Sequence, residues 1–417
     1  MRATARTRIG AIAAEIDRSI AILALLSFIS NAGVSIMLPL LPLYAVAVGA
    51  TPAEVGLMVS AFAVTSTIGQ LSAGFLSSRI SPRRQMPLGQ AIYATGNFLI
   101  ATTTAALPLI VFRAFSGLGG GLTIISERLY IARVTLQARL AFTNGVVSAA
   151  ASSGQVLGPL LGALLAADDL RVPFFVVGCT ASIAGVSAFL FLPAEARARG
   201  PEPVEVIPEA VELAPGAIPG AGMERARSTR WAAAEPLLRL ALWNLAFNAS
   251  YGSWITTFGP FSEDVLGLPQ VFVQLFWVPF GIGAIVLGPV LSRFADRTGR
   301  RRMVALGTAM VLSNTIALLA ATPVAILYAT AFLAGGGLAA AGSSWFALLA
   351  VATDSGRRGR SFGVVSALSN LGIIAGASIA STAWTAVGLQ GGMVSASIFL
   401  VLAIASLALV PSDRRRA

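Results

Sequence analysis

The chain has 417 residues, of which 56% are hydrophobic and only 11% are charged, and its mean hydropathy is +0.80. Soluble globular domains carry about 25% charged residues, so this composition excludes a protein whose whole surface faces water. The net charge is +11 and every basic residue is Arg. The Arg residues form short clusters between long apolar runs, which is typical of cytoplasmic membrane loops and argues against a nucleic-acid-binding surface.

Twelve apolar runs are long enough to cross a bilayer, because about 20 apolar residues span a hydrocarbon core of ~30 Å. They lie near residues 19–46, 53–78, 86–105, 108–132, 142–166, 173–193, 236–260, 270–294, 302–321, 324–351, 361–386 and 390–411. The first run is too long for a signal peptide and eleven more follow it, so we interpret it as a retained helix. The sequence therefore predicts an all-α membrane protein with twelve transmembrane helices.

The distribution of Arg supports this count and orients the chain. Apart from Arg113 and Arg128 in the fourth run and Arg171 in an outside loop, every Arg lies at a terminus or within or bordering an even-numbered connection. A missed or extra helix would invert every later loop and destroy this segregation. We therefore expect both termini to be cytoplasmic, and the exclusive use of Arg suggests a GC-rich bacterium, which predicts the bacterial inner membrane.

Two similar halves flank a segment of different character. Residues 194–234 are rich in Pro, Glu and Gly and are predicted to form a flexible cytoplasmic linker. The decapeptide that begins at Gly145 recurs in related form at Gly363, 218 residues later. We predict a duplicated unit, with an N-terminal six-helix bundle in 1–193 and a C-terminal bundle in 235–417, and such repeats are typical of alternating-access transporters.

Two cytoplasmic loops carry related motifs. The connection after the eighth run reads SRFADRTGRRRM, in which Gly299 permits a tight turn and the Arg residues can anchor at anionic headgroups. Its conspicuous members are Asp296, Arg297, Gly299 and Arg300. The loop after the second run reads GFLSSRISPRRQM and begins at Gly74. It shares Arg79 and Arg83 with the later loop, and it has Ser78 and Ser81 where the later loop has Asp and Gly.

Glycine patterns mark three of the predicted spans. The fourth run contains Arg113 followed by Gly117 and Gly119, and the first run contains Gly33 followed by PLLP. The fifth run has the most specific spacing, with a proline next to the third of four glycines; these residues are Gly145, Gly154, Gly158, Pro159 and Gly162. Small residues on one face allow close helix contact, and a proline allows a bend.

Together these motifs resemble the major facilitator superfamily, and the fifth-run pattern resembles the antiporter motif of its twelve-helix drug–proton exporters. The resemblance implies two pseudo-symmetric six-helix bundles around a central cavity. It also implies efflux of a drug or metabolite. In the family, the loop Asp braces the closed cytoplasmic side, and Ser78 occupies that position in the first half of this chain.

Charged residues are scarce within the predicted spans, and two on the fourth run are candidates for proton coupling. Arg113 and Glu127 are 14 residues apart, which places them on the same helix face about 21 Å apart. A carboxyl group in a low-dielectric site can carry a proton, whereas a plainly structural Glu127 would pair with Arg128, Arg133 or a neighbouring helix. Arg113 could instead extend outward to the interface. We keep both alternatives open.

Polar and aromatic residues at membrane depth are candidates for substrate binding, although helix packing explains many single aromatics. The candidates are Asn31, Gln70, Gln155, Asn244, Asn248, Tyr251, Trp254, Trp345 and Asn370. They suit an amphiphilic or lipophilic small molecule. The chain has no His and a single Cys, Cys179, so it has neither the usual nitrogen ligand for a metal nor a Cys-based metal site. We therefore expect no metal and no cofactor, with the proton gradient as the energy source.

Other functions compete with proton-coupled export. The same fold could carry a sugar, a lipid or a siderophore. A membrane enzyme would need clustered carboxylates or a nucleophile with a base, and the acidic pairs Asp168–Asp169 and Glu263–Asp264 fall in outside loops. A receptor without transport activity is a third class, which the repeat and the in-span charges disfavour. We expect a monomer in the bilayer whose partners are protons and a small-molecule substrate.

Overall fold

The computed structural model describes residues 18–135, 140–166, 169–193, 223–351 and 358–409, and these residues form helices joined by short turns. The helices are α1 (Arg18–Met37), α2 (Leu41–Ala47), α3 (Pro52–Leu76), α4 (Pro82–Thr102), α5 (Ala106–Val134), α6 (Leu140–Leu165), α7 (Val172–Phe191), α8 (Met223–Pro260), α9 (Gln270–Leu275), α10 (Trp277–Thr298), α11 (Arg300–Leu319), α12 (Val324–Val351), α13 (Arg358–Val387) and α14 (Leu389–Ser406). A short π-helix, Phe261–Val265, follows α8.

The helical membrane class predicted from the sequence is confirmed. Within the described ranges, nine helices are long and apolar enough to cross a membrane. Each of the twelve predicted runs coincides with a helix or with two consecutive helices, but α4, α6 and α8 are not among those nine. In α4, the apolar run is interrupted by Gln85, Gln90 and Asn97, which are all buried against neighbouring helices. The count of twelve spans therefore stays a prediction.

Two of the predicted runs are interrupted in the structure. The first divides into α1 and α2 at a turn over residues 38–40. Pro39 has no backbone N–H to continue the helical ladder, and the Leu40 N–H donates to the Met37 carbonyl instead, at 2.9 Å. The eighth run divides into α9 and α10 at Phe276. The first run is therefore interrupted at a proline, and the eighth run begins with a separate six-residue helix.

The described residues divide into two compact units. Unit 1 lies within Met1–Gly200 together with Phe258–Val278, and unit 2 lies within Pro201–Thr257 together with Pro279–Ala417. Residues 194–222 of the predicted linker are outside the described ranges, while α8 already begins at Met223. The predicted boundary at residue 235 therefore falls inside a helix.

Local sequence determines where several helices begin. Thr51 caps α3, where its hydroxyl accepts the Glu54 N–H at 3.3 Å while the Glu54 carboxylate accepts the Thr51 N–H at 2.8 Å. This reciprocal capping box satisfies two N–H groups that have no partner within the helix. Gly299 precedes α11 with φ at 94°, a left-handed conformation that favours glycine. The backbone conformation at this position therefore explains why the loop motif has a glycine there.

In unit 1, the glycines of the fifth predicted run let α6 lie directly on the backbone of α1. A Cβ at Gly158 would lie 2.5 Å from the Ala32 carbonyl oxygen, and one at Gly154 would collide with the Phe28 carbonyl. Such closeness is characteristic of helix pairs in membranes, where association depends on van der Waals contact rather than on expulsion of water. We call this α1–α6 contact the first glycine seam.

Unit 2 contains the same contact one repeat later. A Cβ at Gly372 would lie 2.5 Å from the Leu245 carbonyl oxygen, and one at Gly376 would collide with the Ala249 carbonyl. Gly372 and Gly376 are 218 residues after Gly154 and Gly158, which is the offset of the sequence repeat. This α8–α13 contact is the second glycine seam, so the duplicated sequence encodes duplicated helix packing.

The seams predict a sharp difference between glycines. Gly376→Ala should destabilise the protein, because a methyl group would have to enter the Ala249 backbone; overpacking of this kind costs about 1–3 kcal/mol. Gly74→Ala is the matched control, since nothing lies within 4 Å of a Cβ at Gly74. Thermal unfolding in detergent measures both. Equal melting temperatures for the two variants would contradict the seam.

Candidate functional site

A polar network in unit 1 connects α5, α1 and α6. The Ser27 hydroxyl on α1 donates to the Glu127 carboxylate on α5. One turn further along α1, the Asn31 side-chain amide donates to the Ser27 carbonyl at 2.8 Å. The Gln155 amide on α6 then donates to the Asn31 side-chain oxygen at 3.2 Å. Three residues predicted independently from the sequence, Glu127, Asn31 and Gln155, therefore belong to one network.

The network extends from a half-buried carboxyl group to an exposed amide. Ser27 is 2% exposed, Glu127 and Asn31 are half-buried, and Gln155 is exposed. An ionised carboxylate can only accept hydrogen bonds, whereas a protonated one also donates. A change in protonation of Glu127 would therefore change its contact with Ser27. The same contact is also the pairing with a neighbouring helix that a structural Glu127 would make, so proton transfer by Glu127 stays a prediction.

Arg113, the other predicted coupling residue, lies inside the helix bundle and does not extend to the interface. It is 3% exposed. Its guanidinium carbon lies 3.8 Å from the centre of the Phe62 ring, and one terminal nitrogen lies 3.9 Å from the Met37 sulfur. A cation over an aromatic face is stabilised electrostatically. The interior position of Arg113 favours a functional role over a position at the headgroups.

In unit 2, α8 and α13 share a polar contact beside the second glycine seam. The Asn244 amide donates to the Ser369 hydroxyl at 2.7 Å. The Asn248 amide donates to the Asn244 carbonyl at 2.8 Å. Asn370, next to Ser369 on α13, is half-buried, as are Tyr251 and Trp254 further along α8. The predicted asparagines of the seventh run are therefore joined to each other and to α13.

Trp345 packs in the core of unit 2. It is 3% exposed, and its indole N–H donates to the Leu240 carbonyl at 3.2 Å. Its ring centre lies 5.7 Å from that of Trp243, which stacks on Phe247 at 4.9 Å. This aromatic cluster fills the space between helices. The geometry favours a packing role for Trp345 over the predicted substrate contact.

The remaining predicted residues lie apart from these contacts. Gln70, on α3, donates to the Ser66 hydroxyl at 3.4 Å. In the first loop motif, Gly74 and Arg79 are exposed, and Arg83 donates to the Phe189 carbonyl at 3.3 Å. In the second, Arg300 is half-buried. The side chains of Asp296 and Arg297 lie outside the described part of the structure, so their bracing role stays a prediction.

Several residues at these sites were not anticipated from the sequence. Ser27 is one helical turn before Asn31, and this spacing in an otherwise apolar run could have indicated it. Phe62 carries no such signal, because a phenylalanine in a membrane span is commonplace. Gln274 interrupts the apolar run VFVQLFW and is fully buried in unit 1.

Comparison with known proteins identifies the family. The sequence profile described as Major Facilitator Superfamily matches residues 23–286 and 272–417, which together cover most of the chain. The chain belongs to the major facilitator superfamily. It is accordingly a multi-pass membrane protein, of a family of transporters and not of a family of enzymes. The adjacent acids Glu263 and Asp264 are exposed on the π-helix, where partial desolvation and then the Asp264 charge raise the pKa of Glu263.

Individual relatives are distant. The chain is 26% identical over 165 residues to the quinolone resistance protein NorA of Staphylococcus aureus, and 24% identical over 179 residues to an uncharacterized MFS-type transporter of Methanocaldococcus jannaschii. These matches cover 40% and 43% of this chain and 42% and 46% of the relatives, so the chain matches less than half the length of each.

Solved structures support the fold. The crystal structure of the nucleoside transporter NupG is similar with a TM-score of 0.73 at 14% sequence identity, covering 94% of this chain and 99% of that one. At this identity the likeness establishes the fold alone.

Trp345, which is buried in the core of unit 2, and Tyr251, which is half-buried on α8, should respond differently to replacement by Ala. Trp345→Ala should lower stability by about 3–5 kcal/mol, as expected for a large buried aromatic side chain, and leave the relative rates for different substrates unchanged. Tyr251→Ala should alter those relative rates with a smaller loss of stability. Thermal unfolding and transport of a substrate panel by purified variants separate the two. A changed substrate profile in Trp345→Ala would contradict the packing role and would support a substrate contact for Trp345.

Proposed function

We propose that this transporter exports a small amphiphilic or lipophilic molecule, a drug or a metabolite, in exchange for protons. The observation that carries the proposal is the contact between Ser27 and the Glu127 carboxylate, which belongs to a network reaching Gln155 on α6. The partial similarity to NorA, named as a quinolone resistance protein, supports the direction of transport.

The position of the network suggests how a proton could influence the helices. Gln155 directly follows Gly154 of the first glycine seam, and Asn31 lies next to Ala32 on the other side of that seam. An ionised carboxylate inside the membrane is costly unless it is well solvated by partners. When Glu127 gains or loses a proton, its contact with α1 changes at the point where α1 meets α6. Protonation and helix packing are thereby coupled.

Substrate contacts are proposed from the polar and aromatic residues that remain after Trp345 is assigned to the core. In unit 1 these are Asn31, Gln70 and Gln155, and in unit 2 they are Asn244, Asn248, Tyr251, Trp254 and Asn370. Amide groups can orient a polar end while aromatic rings contact an apolar body, which suits an amphiphile.

The cellular setting is proposed from the sequence. We place the protein as a monomer in a bacterial inner membrane, with both termini cytoplasmic. Alternating access would expose the binding residues to each side in turn, and the proton gradient would drive the cycle without a cofactor.

Proton coupling through Glu127 has a direct test. Purified protein is reconstituted in liposomes, and an imposed pH gradient drives accumulation of amphiphilic fluorescent dyes, including ethidium. Glu127→Gln should abolish gradient-driven accumulation, because an amide cannot exchange a proton at this position, while dye should still equilibrate down its own gradient. Concentrative transport by Glu127→Gln at the wild-type level would reject the proposal.

Glu54→Gln is the matched control. Glu54 carries the same functional group, but it lies exposed at the start of α3, where it caps the helix with Thr51. It should retain gradient-driven transport. If both variants lose it equally, loss of a carboxylate anywhere would impair the protein, and Glu127 would have no special role.

A further inference from the structure

The segment 258–278, which follows most of α8 in sequence, belongs to unit 1, and Gln274 is its polar contact with that unit. Gln274 has no exposed surface. Its side-chain amide donates to the Ile36 carbonyl near the end of α1, at 3.0 Å. A fully buried amide in an otherwise apolar segment requires an acceptor, since a buried donor without a partner is destabilising.

The break after α1 explains why the Ile36 carbonyl can accept this amide. In a continuous helix the Leu40 N–H would donate to Ile36. Here the Leu40 N–H donates to Met37, because the chain turns at Pro39. Carbonyls at such a helix end need partners from outside the helix. The proline motif of the first predicted run thus creates the acceptor that Gln274 uses.

Gly162 provides the space for the Gln274 side chain. A Cβ at Gly162 would lie 2.8 Å and 2.9 Å from the two terminal atoms of the Gln274 amide, and 2.7 Å from the Ile36 carbonyl oxygen. The equivalent position in the second half, 218 residues later, is Ala380, which is fully buried. Gly154 and Gly158 have glycine counterparts in unit 2, but Gly162 does not. Gly162, the last glycine of the motif, therefore serves a contact particular to unit 1, and the Gln274 side chain fills the space that it leaves.

Apolar contacts accompany the amide. The rings of Phe258 and Phe276 lie 4.6 Å apart between centroids, and Phe272 lies 6.0 Å from Phe276. At Gly259, a Cβ would lie 3.0 Å from Leu43 on α2. Through these contacts within unit 1, segment 258–278 packs against α2 and the turn before it.

The polar atoms of the segment are incompletely satisfied. Among the described residues, the buried Gln274 side-chain oxygen, the Ser262 hydroxyl and the Gln270 side-chain nitrogen have no hydrogen-bond partner. Buried polar groups without partners regain hydrogen bonds when water reaches them. Release of the segment would let these atoms form hydrogen bonds with water, which lowers the free-energy cost of opening the contact.

We propose that Gln274 is a releasable latch, which holds segment 258–278 on unit 1 through the Ile36 carbonyl and the space above Gly162, and which detaches during the transport cycle. The cycle itself rests on the alternating access of the proposed function. The assignment concerns a conformational contact and adds no group to the proton pathway.

Accessibility of a cysteine at position 262 tests the latch. Cys179 is the single native cysteine, so Cys179→Ser with Ser262→Cys carries one thiol in the segment. Gln274→Leu retains the volume of the side chain but cannot donate. It should speed labelling of Cys-substituted position 262 by a water-soluble maleimide about five-fold, as expected when one net hydrogen bond is lost from the closed state.

Two further variants make the result decisive. Gln270→Leu, in the same helix, should not speed labelling, because the Gln270 side-chain nitrogen donates no hydrogen bond in the closed state. Gly162→Ala should speed labelling by displacing the Gln274 amide, and it should add nothing in the Gln274→Leu background because both changes remove one contact. Wild-type labelling rates in Gln274→Leu, or fully additive effects, would overturn the latch.

The readout is independent of proton coupling. Labelling is measured on purified protein without a gradient, and thermal unfolding confirms that each variant is folded. If Glu127→Gln transports normally while Gln274→Leu labels faster, the proton site is wrong and the latch stands. If Glu127→Gln loses coupling while Gln274→Leu labels at the wild-type rate, the reverse holds.

Discussion

Direct backbone contact between helices is the constraint on which each unit depends. Lipid tails are as apolar as the helix surfaces, so the hydrophobic effect does not drive helices together. Association therefore requires close van der Waals packing. In unit 1 the contact runs along Phe28 and Ala32 of α1, and in unit 2 along Leu245 and Ala249 of α8. Once glycines bring these backbones together, the side chains next to the contact can point in only a few directions. Asn31 and Asn248, each beside a seam residue, are oriented by it.

The seam places the polar groups at the points where helices meet. Ser27 and Asn31 bridge from α1 to α5 and α6, and Asn244 bridges from α8 to α13. A polar group in a membrane span either forms its hydrogen bonds within the protein or incurs a desolvation penalty of about 2–7 kcal/mol. Function and packing therefore share the same positions. The carboxyl group of Glu127 is the member of this set whose charge can change, which is why it carries the proposed coupling.

Much of the architecture was predictable, because length, hydropathy and Arg placement are properties read directly along the chain. The spacing of Gly154, Gly158 and Pro159 indicated a close helix contact, and the 218-residue repeat indicated a second one. Neither identified α1 or α8 as the partner, since a motif describes one face of one helix. The orientation of Trp345 was not predictable either: its depth suited a substrate contact, but only three-dimensional packing places it against Trp243 and the Leu240 carbonyl. Gln274 depends on a turn at Pro39 far away in sequence.

Infrared difference spectroscopy of the purified transporter is the most direct measurement of the central claim, that the Glu127 carboxyl group exchanges a proton during transport. A pH jump should produce a carbonyl-stretch band of a protonated carboxyl group that is absent in Glu127→Gln and that changes when substrate is added. An unchanged band in Glu127→Gln, or a band indifferent to substrate, would contradict the account.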